Sequence, residues 1–228
     1  MHRRIPFVTI IYAAGISGRM EADMNQQELI AMLGRISKIM VENRNYLIEL
    51  DSVVGDSDLG LTMTDGFQAA YDAVSDGSEP DLGKLLYKAG KTMGNKVPST
   101  MGTLMAAGLM RAGKTLKGKT ELSGADVVSL FEAYEAGVAD LGKAKLGDKT
   151  FLDGFHPGVQ VLKAEVEAGV PLEGAFGKAA AAAWDGFERT TTMIAVHGRA
   201  ATRGESSRSL KDPGAAVAAL IMKAVADR

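Results

Sequence analysis

Leu29-Ile30-Ala31-Met32-Leu33-Gly34-Arg35-Ile36-Ser37-Lys38-Ile39-Met40 is the stretch that decides the fold. Its large apolar residues Leu29, Met32, Leu33, Ile36, Ile39 and Met40 recur at steps of three and four. That spacing lines them along one helical face and predicts that the face is buried. The same spacing returns in Met63, Phe67, Ala70, Tyr71 and Val74, and again in Leu82, Leu85, Leu86, Ala89 and Met93. Further helices are expected from about Ser99 to Ala112, from Ser123 through Leu141, from about Thr150 to Ala168, from Pro171 to about Val196, and after Pro213. Period-two alternation is almost absent, so the fold class is all-α, an eight-helix bundle or up-and-down barrel. Runs of small residues such as Ala179 to Ala183 allow helices to approach closely. Trp184 and the methionine-rich stripes read as core.

Composition narrows the chemistry. The 228 residues carry 26 Lys+Arg against 28 Asp+Glu, a net charge of −2. No global basic field exists to attract nucleic acid or an anionic membrane. Cysteine is absent, which excludes disulfides, thiolate metal sites and a cysteine nucleophile; a metal must be held by oxygen or by the three histidines. The 27 glycines are more than a helical domain needs. At the start, Met1 to Asp23 has a basic end and a short apolar run from Ile5 to Ile16, too short to span a bilayer. A weak secretory signal is one reading. The preferred one makes residues 1–23 an appended N-terminal extension ahead of a single domain at 24–228, with the cytoplasm as default location.

Three motifs invite misreading. Gly113-Lys114-Thr115-Leu116-Lys117-Gly118-Lys119-Thr120 satisfies the P-loop pattern, but a phosphate cradle needs a preceding strand and this one follows a helical run. It is read as a basic helix end and polar loop. Gly55-Asp56-Ser57-Asp58-Leu59 with Asp153-Gly154-Phe155-His156 resembles the nucleophile block and D-x-x-H pair of GDS-type esterases, which are built on an α/β core. Here 72 residues follow His156, whereas that pair lies near the chain end in those enzymes. Asp56, Asp58 and Gly60 begin like a calcium loop, but Phe67 occupies the position of its bidentate Glu. His156 is read as a packed or capping residue and His197 as a helix C-terminal histidine.

The informative constellation is Asp51, Asp56 and Asp58, three carboxylates within eight residues in a glycine-punctuated segment between two expected helices. Converging carboxylates repel unless a cation joins them, and a hard divalent ion such as Mg²⁺ is the natural partner. Surface acidity or N-capping is the plainer alternative. Two further glycine-containing clusters sit at helix boundaries, where free N–H groups meet anions: Gly147-Asp148-Lys149-Thr150, and Gly198-Arg199-Ala200 through Gly204-Glu205 to Asp212-Pro213-Gly214. Arg199 and Arg203 add planar donors suited to phosphate oxygens.

In order and spacing, these motifs resemble the nucleotide-binding subunit of the dihydroxyacetone kinase family from Met24 to the C-terminus. The resemblance implies an eight-helix barrel with a nucleotide–magnesium site at one end. It implies that Asp51, Asp56 and Asp58 hold two Mg²⁺ ions against ADP or ATP, and that Arg199 is the phosphate-side, catalytic arginine. Nucleotide-contacting positions implied in the same way are Leu59, Gly60, Thr62, Thr100, Met101, Gly142, Thr150, Phe151, Arg199, Asp212, Pro213 and Gly214. Leu59, Thr62 and Phe151 stand where His, Asn and Met are common in the family, and Pro98 to Thr103 replaces a second glycine-rich loop. The partners implied are a substrate-binding kinase subunit, carrying the ketose covalently on a histidine, and a phosphohistidine protein that recharges bound ADP; ATP is the alternative donor. A homodimer stays open. A nucleotide-binding regulator without transfer activity, or a GDS-type hydrolase, are the rival functions.

Overall fold

The structure, a computed structural model, describes residues 24–227; the extension expected at 1–23 lies outside the described residues. Among the described residues nine α-helices follow one another: α1 (Gln26–Glu42), α2 (Arg44–Val54), α3 (Leu59–Asp72), α4 (Leu82–Lys96), α5 (Thr100–Thr115), α6 (Gly124–Gly142), α7 (Phe151–Glu167), α8 (Leu172–Arg189) and α9 (Pro213–Ala226). The only strand-like pairing among the described residues is an isolated bridge between Met24 and Leu122. Side chains set the helix starts: Asn25 with Glu28, Ser123 with Asp126 and Thr150 with Asp153 form reciprocal capping boxes, and Asp81, Ser99 and Asp212 cap α4, α5 and α9.

Eight of the nine helices pack in a closed ring, α1–α3–α4–α5–α6–α7–α8–α9 and back to α1. The expected eight-helix barrel is this ring. The ninth helix, α2, arises because Asn43 breaks the first helical run, its side-chain amide donating back to the Ile39 carbonyl at 2.8 Å. Then α2 continues across one end of the ring, against α3 and α9. The stripe from Leu29 to Met40 is buried as its spacing predicts. Phe131, Tyr134, Phe151, Phe155 and Phe176 stack through the interior, with neighbouring ring centroids 4.9–6.2 Å apart. Between α4 and α5, Gly83 and Gly113 bring the backbones together: a Cβ on Gly113 would sit 2.5 Å from the Gly83 carbonyl oxygen.

Three expectations are corrected. The helix expected to reach Val196 ends at Arg189, because Thr190, Thr191 and Thr192 turn their hydroxyls back onto the carbonyls of Phe187, Glu188 and Arg189. His197 is therefore in a loop, eight residues after that helix ends, and not at a helix C-terminus. Trp184 is not core: it lies 40% exposed, edge-on to Phe187. No helix among the described residues is long and apolar enough to cross a membrane.

Candidate functional site

Up-and-down connectivity places the N-termini of α3, α5, α7 and α9 at one end of the ring, with α2 alongside. There they surround a cleft of about 480 Å³. Each helix start leaves backbone N–H groups without intrahelical partners and carries the positive end of a dipole, so four such starts make an anion-attracting floor.

The aspartate cluster stands at the mouth. Asp51 belongs to the last turn of α2, and not to the loop in which the sequence alone would put it; Asp56 and Asp58 follow in the turn to α3. Asp51 Oδ2 accepts from the backbone N–H groups of Asp58 at 3.1 Å and Leu59 at 3.3 Å, which ties the end of α2 to the start of α3. Gly55 lets the carboxylate lie there, since a Cβ at that position would be 2.0 Å from Asp51 Oδ1. Ser57, between the other two, adopts a left-handed φ of 67°. One oxygen from each of the three aspartates lies within 4.8 Å of the others. Oxygens on opposite sides of an octahedral Mg²⁺ are roughly 4.2 Å apart, so this all-oxygen donor set would hold that ion after a small inward movement of the carboxylates. Burial, then the neighbouring Asp56 and Asp51 carboxylates, push the Asp58 carboxyl above its ordinary range, with Arg199 opposing.

Arg199 enters from the segment after α8. Its Nη2 lies 2.6 Å from Asp56 Oδ2, with both side chains substantially solvated. This joins the cluster read at residues 51–58 to the one read at 198–214. The third cluster joins through its own contacts. His197 Nε2 pairs with Asp148 Oδ2 at 2.9 Å, and the Val196 N–H donates to the Asp148 carbonyl at 3.1 Å. Lys149 is buried, with a left-handed φ of 62°. Its Nζ donates to the carbonyls of Thr190 at 2.7 Å, Arg208 at 3.1 Å and Met193 at 3.4 Å, and also to Leu210. Burial holds the Lys149 amine below its ordinary range, with Asp212 opposing. Asp212 caps α9 through the Ala215 N–H at 2.7 Å, and burial pushes its carboxyl up to about 7.

Leu59, Thr100, Met101, Gly142, Thr150, Phe151, Arg199, Asp212, Pro213 and Gly214 all line the cleft together with the three aspartates. Gly60 and Thr62 do not. Gly60 serves the α2–α3 contact, where a Cβ would meet the Arg44 carbonyl oxygen at 2.2 Å. Thr62, one turn into α3, faces a shallow groove beside Val97 and Pro98 outside the cleft. Leu104, Val138 and Leu152 also line the cleft and escaped sequence reading, because apolar residues on helical stripes look the same whether they face a core or a ligand. Lys149 belongs to a quoted motif and His197 immediately precedes another, but nothing in spacing shows that His197 pairs with Asp148 and that Lys149 gathers four carbonyls.

The decoys fall elsewhere. The P-loop look-alike begins on the last turns of α5, whose 16 residues put it about 24 Å from the cleft-side end of that helix. Its Gly118 N–H caps onto Asp81 at 3.0 Å. His156 pairs with Glu135 at 2.7 Å, and the Asp153 carboxylate is taken by the N–H groups of Gly147 and Thr150, so no Ser57-based triad is assembled.

Comparison with known proteins gives a consistent result. The DAK2 domain family matches residues 53–227. The "PEP-dependent dihydroxyacetone kinase 2, ADP-binding subunit DhaL" of Listeria innocua is 32% identical over 196 residues, covering 85% of this chain and 90% of that protein. The "L-erythrulose 1-kinase" of Mycolicibacterium smegmatis is 32% identical over 208 residues, covering 88% of this chain but 35% of that longer protein. The crystal structure of the dihydroxyacetone kinase of C. freundii in its native form superposes with a TM-score of 0.70 at 25% identity, over 99% of this chain and 38% of that one.

Proposed function

The chain belongs to the DAK2 domain family, and from that premise we propose that it is the Mg²⁺–nucleotide-holding component of a kinase for dihydroxyacetone or a related short ketose. The observation that carries this reading is the convergence of three carboxylate oxygens within 4.8 Å at the mouth of a cleft floored by four helix N-termini. Surface acidity alone gives no reason for such a floor. Mg²⁺, when bound, offsets the negative charge of the transferring phosphoryl group.

The chain's own residues do the remaining work. Asp51, Asp56 and Asp58 hold the metal, and two ions are proposed on the family resemblance. Arg199, 2.6 Å from Asp56, is within reach of phosphate oxygens brought to that carboxylate, where it stabilises charge on the departing oxygen. Leu59, Met101, Leu104, Phe151 and Pro213 supply an apolar wall for the nucleoside. The ketose is bound on a partner subunit, and a phosphohistidine protein recharges ADP held in the cleft. Near-complete coverage of a relative described as PEP-dependent and ADP-binding supports that route over free exchange with ATP.

Titration calorimetry tests the site. The wild-type chain is expected to bind ADP only with Mg²⁺, and Asp56→Ala to lose about 100-fold or more in affinity. Equal affinity in the two proteins refutes the assignment. Mass spectrometry of the purified chain tests the donor: carried ADP that does not exchange with added ATP is the expected result.

A further inference from the structure

We propose that Lys149 is a positioning residue for phosphoryl transfer: its ammonium clamps both roots of the segment 190–210 and so holds Arg199 against the aspartate cluster. This rests on reading the cleft as the nucleotide site. The segment leaves the barrel at the end of α8 and returns to it at α9, with Arg199 between. Of the four carbonyls that receive the Lys149 ammonium, Thr190 and Met193 lie on the outgoing root, and Arg208 and Leu210 on the returning one. Bonds within the segment complete the closure. The Ala195 N–H donates to Ser207 Oγ at 2.9 Å, and Arg208 Nη1 donates to the Thr192 carbonyl at 2.8 Å. The product is a compact loop with apposed ends, pinned on a single buried cation.

Two features indicate that the ammonium is what this position requires. Its backbone has a φ of 62°, a conformation that favours glycine, yet a long side chain is held there. A compact point charge suits four converging carbonyls better than the planar fork of arginine. Asp148, immediately before it, adds the His197 pair and the Val196 N–H bond, so one short loop positions both the roots of the segment and the residues leading to Arg199. The Lys149 amine is committed to carbonyls, so its role is exerted through Arg199.

A double-mutant cycle in the assembled kinase distinguishes positioning from general stability. Lys149→Met is expected to lower kcat about 100-fold with the ketose KM unchanged, because the ketose is bound elsewhere and misplacing a phosphate donor by about 1 Å has effects of that order. In an Arg199→Ala background the same change is expected to cost less than about threefold. Equal losses in both backgrounds overturn the proposal. Lys149→Gly relaxes the backbone while removing the ammonium; it is expected to reproduce the loss, and full kcat in that variant overturns the proposal as well. Trypsin cleavage after Arg199 and Arg203 provides an arm independent of nucleotide. Faster cutting in Lys149→Gly, with the barrel still folded by circular dichroism, supports the clamp, and an unchanged rate overturns it. Wild-type chain that binds no Mg²⁺–ADP removes the functional reading instead, leaving the protease result to decide the clamp.

Discussion

Replacing Gly55 by alanine probes the metal site through one methyl group. The added Cβ would lie 2.0 Å from Asp51 Oδ1, where ordinary contact begins at 3.4 Å, so the carboxylate has to move by about 1.4 Å. Its two bonds to the N–H groups of Asp58 and Leu59 are already 3.1 and 3.3 Å long, and that displacement breaks both. A bond to a charged acceptor contributes about 1.5 kcal/mol, so the loss for this half-buried group is about 2–3 kcal/mol. For a chain of this size that lowers Tm by about 5–10 °C. Moving one of three carboxylates also weakens Mg²⁺–ADP binding, by about 10–100-fold. Gly55 has a φ of −130°, so the effect comes from collision and not from left-handed backbone. Gly169→Ala is the matched control. There φ is 77° and nothing lies within 4 Å, so a stability loss of about 1 kcal/mol is expected with unchanged affinity. Thermal melts and calorimetry on both variants give the answer. If Gly55→Ala binds Mg²⁺–ADP within twofold of wild type, Asp51 is not a ligand held in place by this glycine.

Asp212→Asn is expected to flatten the pH dependence of stability. The buried carboxyl titrates at about 7, against an ordinary value near 3.9, so the folded state keeps a proton that the unfolded chain releases. Its contribution is fully favourable below about pH 4, is lost as pH rises towards 7, and amounts to about 4 kcal/mol across that window. Melts from pH 5 to 8 should show wild-type stability falling relative to the Asn variant, which keeps the cap to Ala215; parallel profiles would count against the shift. At the P-loop look-alike, Lys119→Ala should leave Mg²⁺–ADP affinity unchanged, whereas Gly113→Ala, colliding with the Gly83 carbonyl oxygen at 2.5 Å, should destabilise by about 2 kcal/mol or more. Loss of nucleotide binding in Lys119→Ala would revive the phosphate-cradle reading.

Legibility differed by element for physical reasons. The stripe from Leu29 to Met40 could be read because helical burial repeats every three to four residues along the chain itself. The end of α8 could not, because Thr190 to Thr192 continue an acceptable pattern and only their hydroxyl bonds to Phe187, Glu188 and Arg189 show the stop. Trp184 was misplaced since composition speaks for burial, while the outer face of α8 leaves it 40% exposed. Gly60 and Thr62 were expected at the nucleotide, yet one turn of α3 carries Thr62 away from the cleft, and Gly60 is spent on the approach of α2.

By itself the sequence determined the helical class, the exclusion of thiolate from any metal site, and the three glycine-punctuated clusters, because each is written in local spacing or in the absence of cysteine. The tertiary structure decided which clusters meet. Closing the ring brings Asp56 to Arg199, 143 positions later in the chain, and Lys149 to the carbonyls on either side of that arginine. Those distances depend on helix length, direction and closure, which no local pattern records. The same closure sends the P-loop look-alike to the opposite end of α5, away from the aspartates and the arginine.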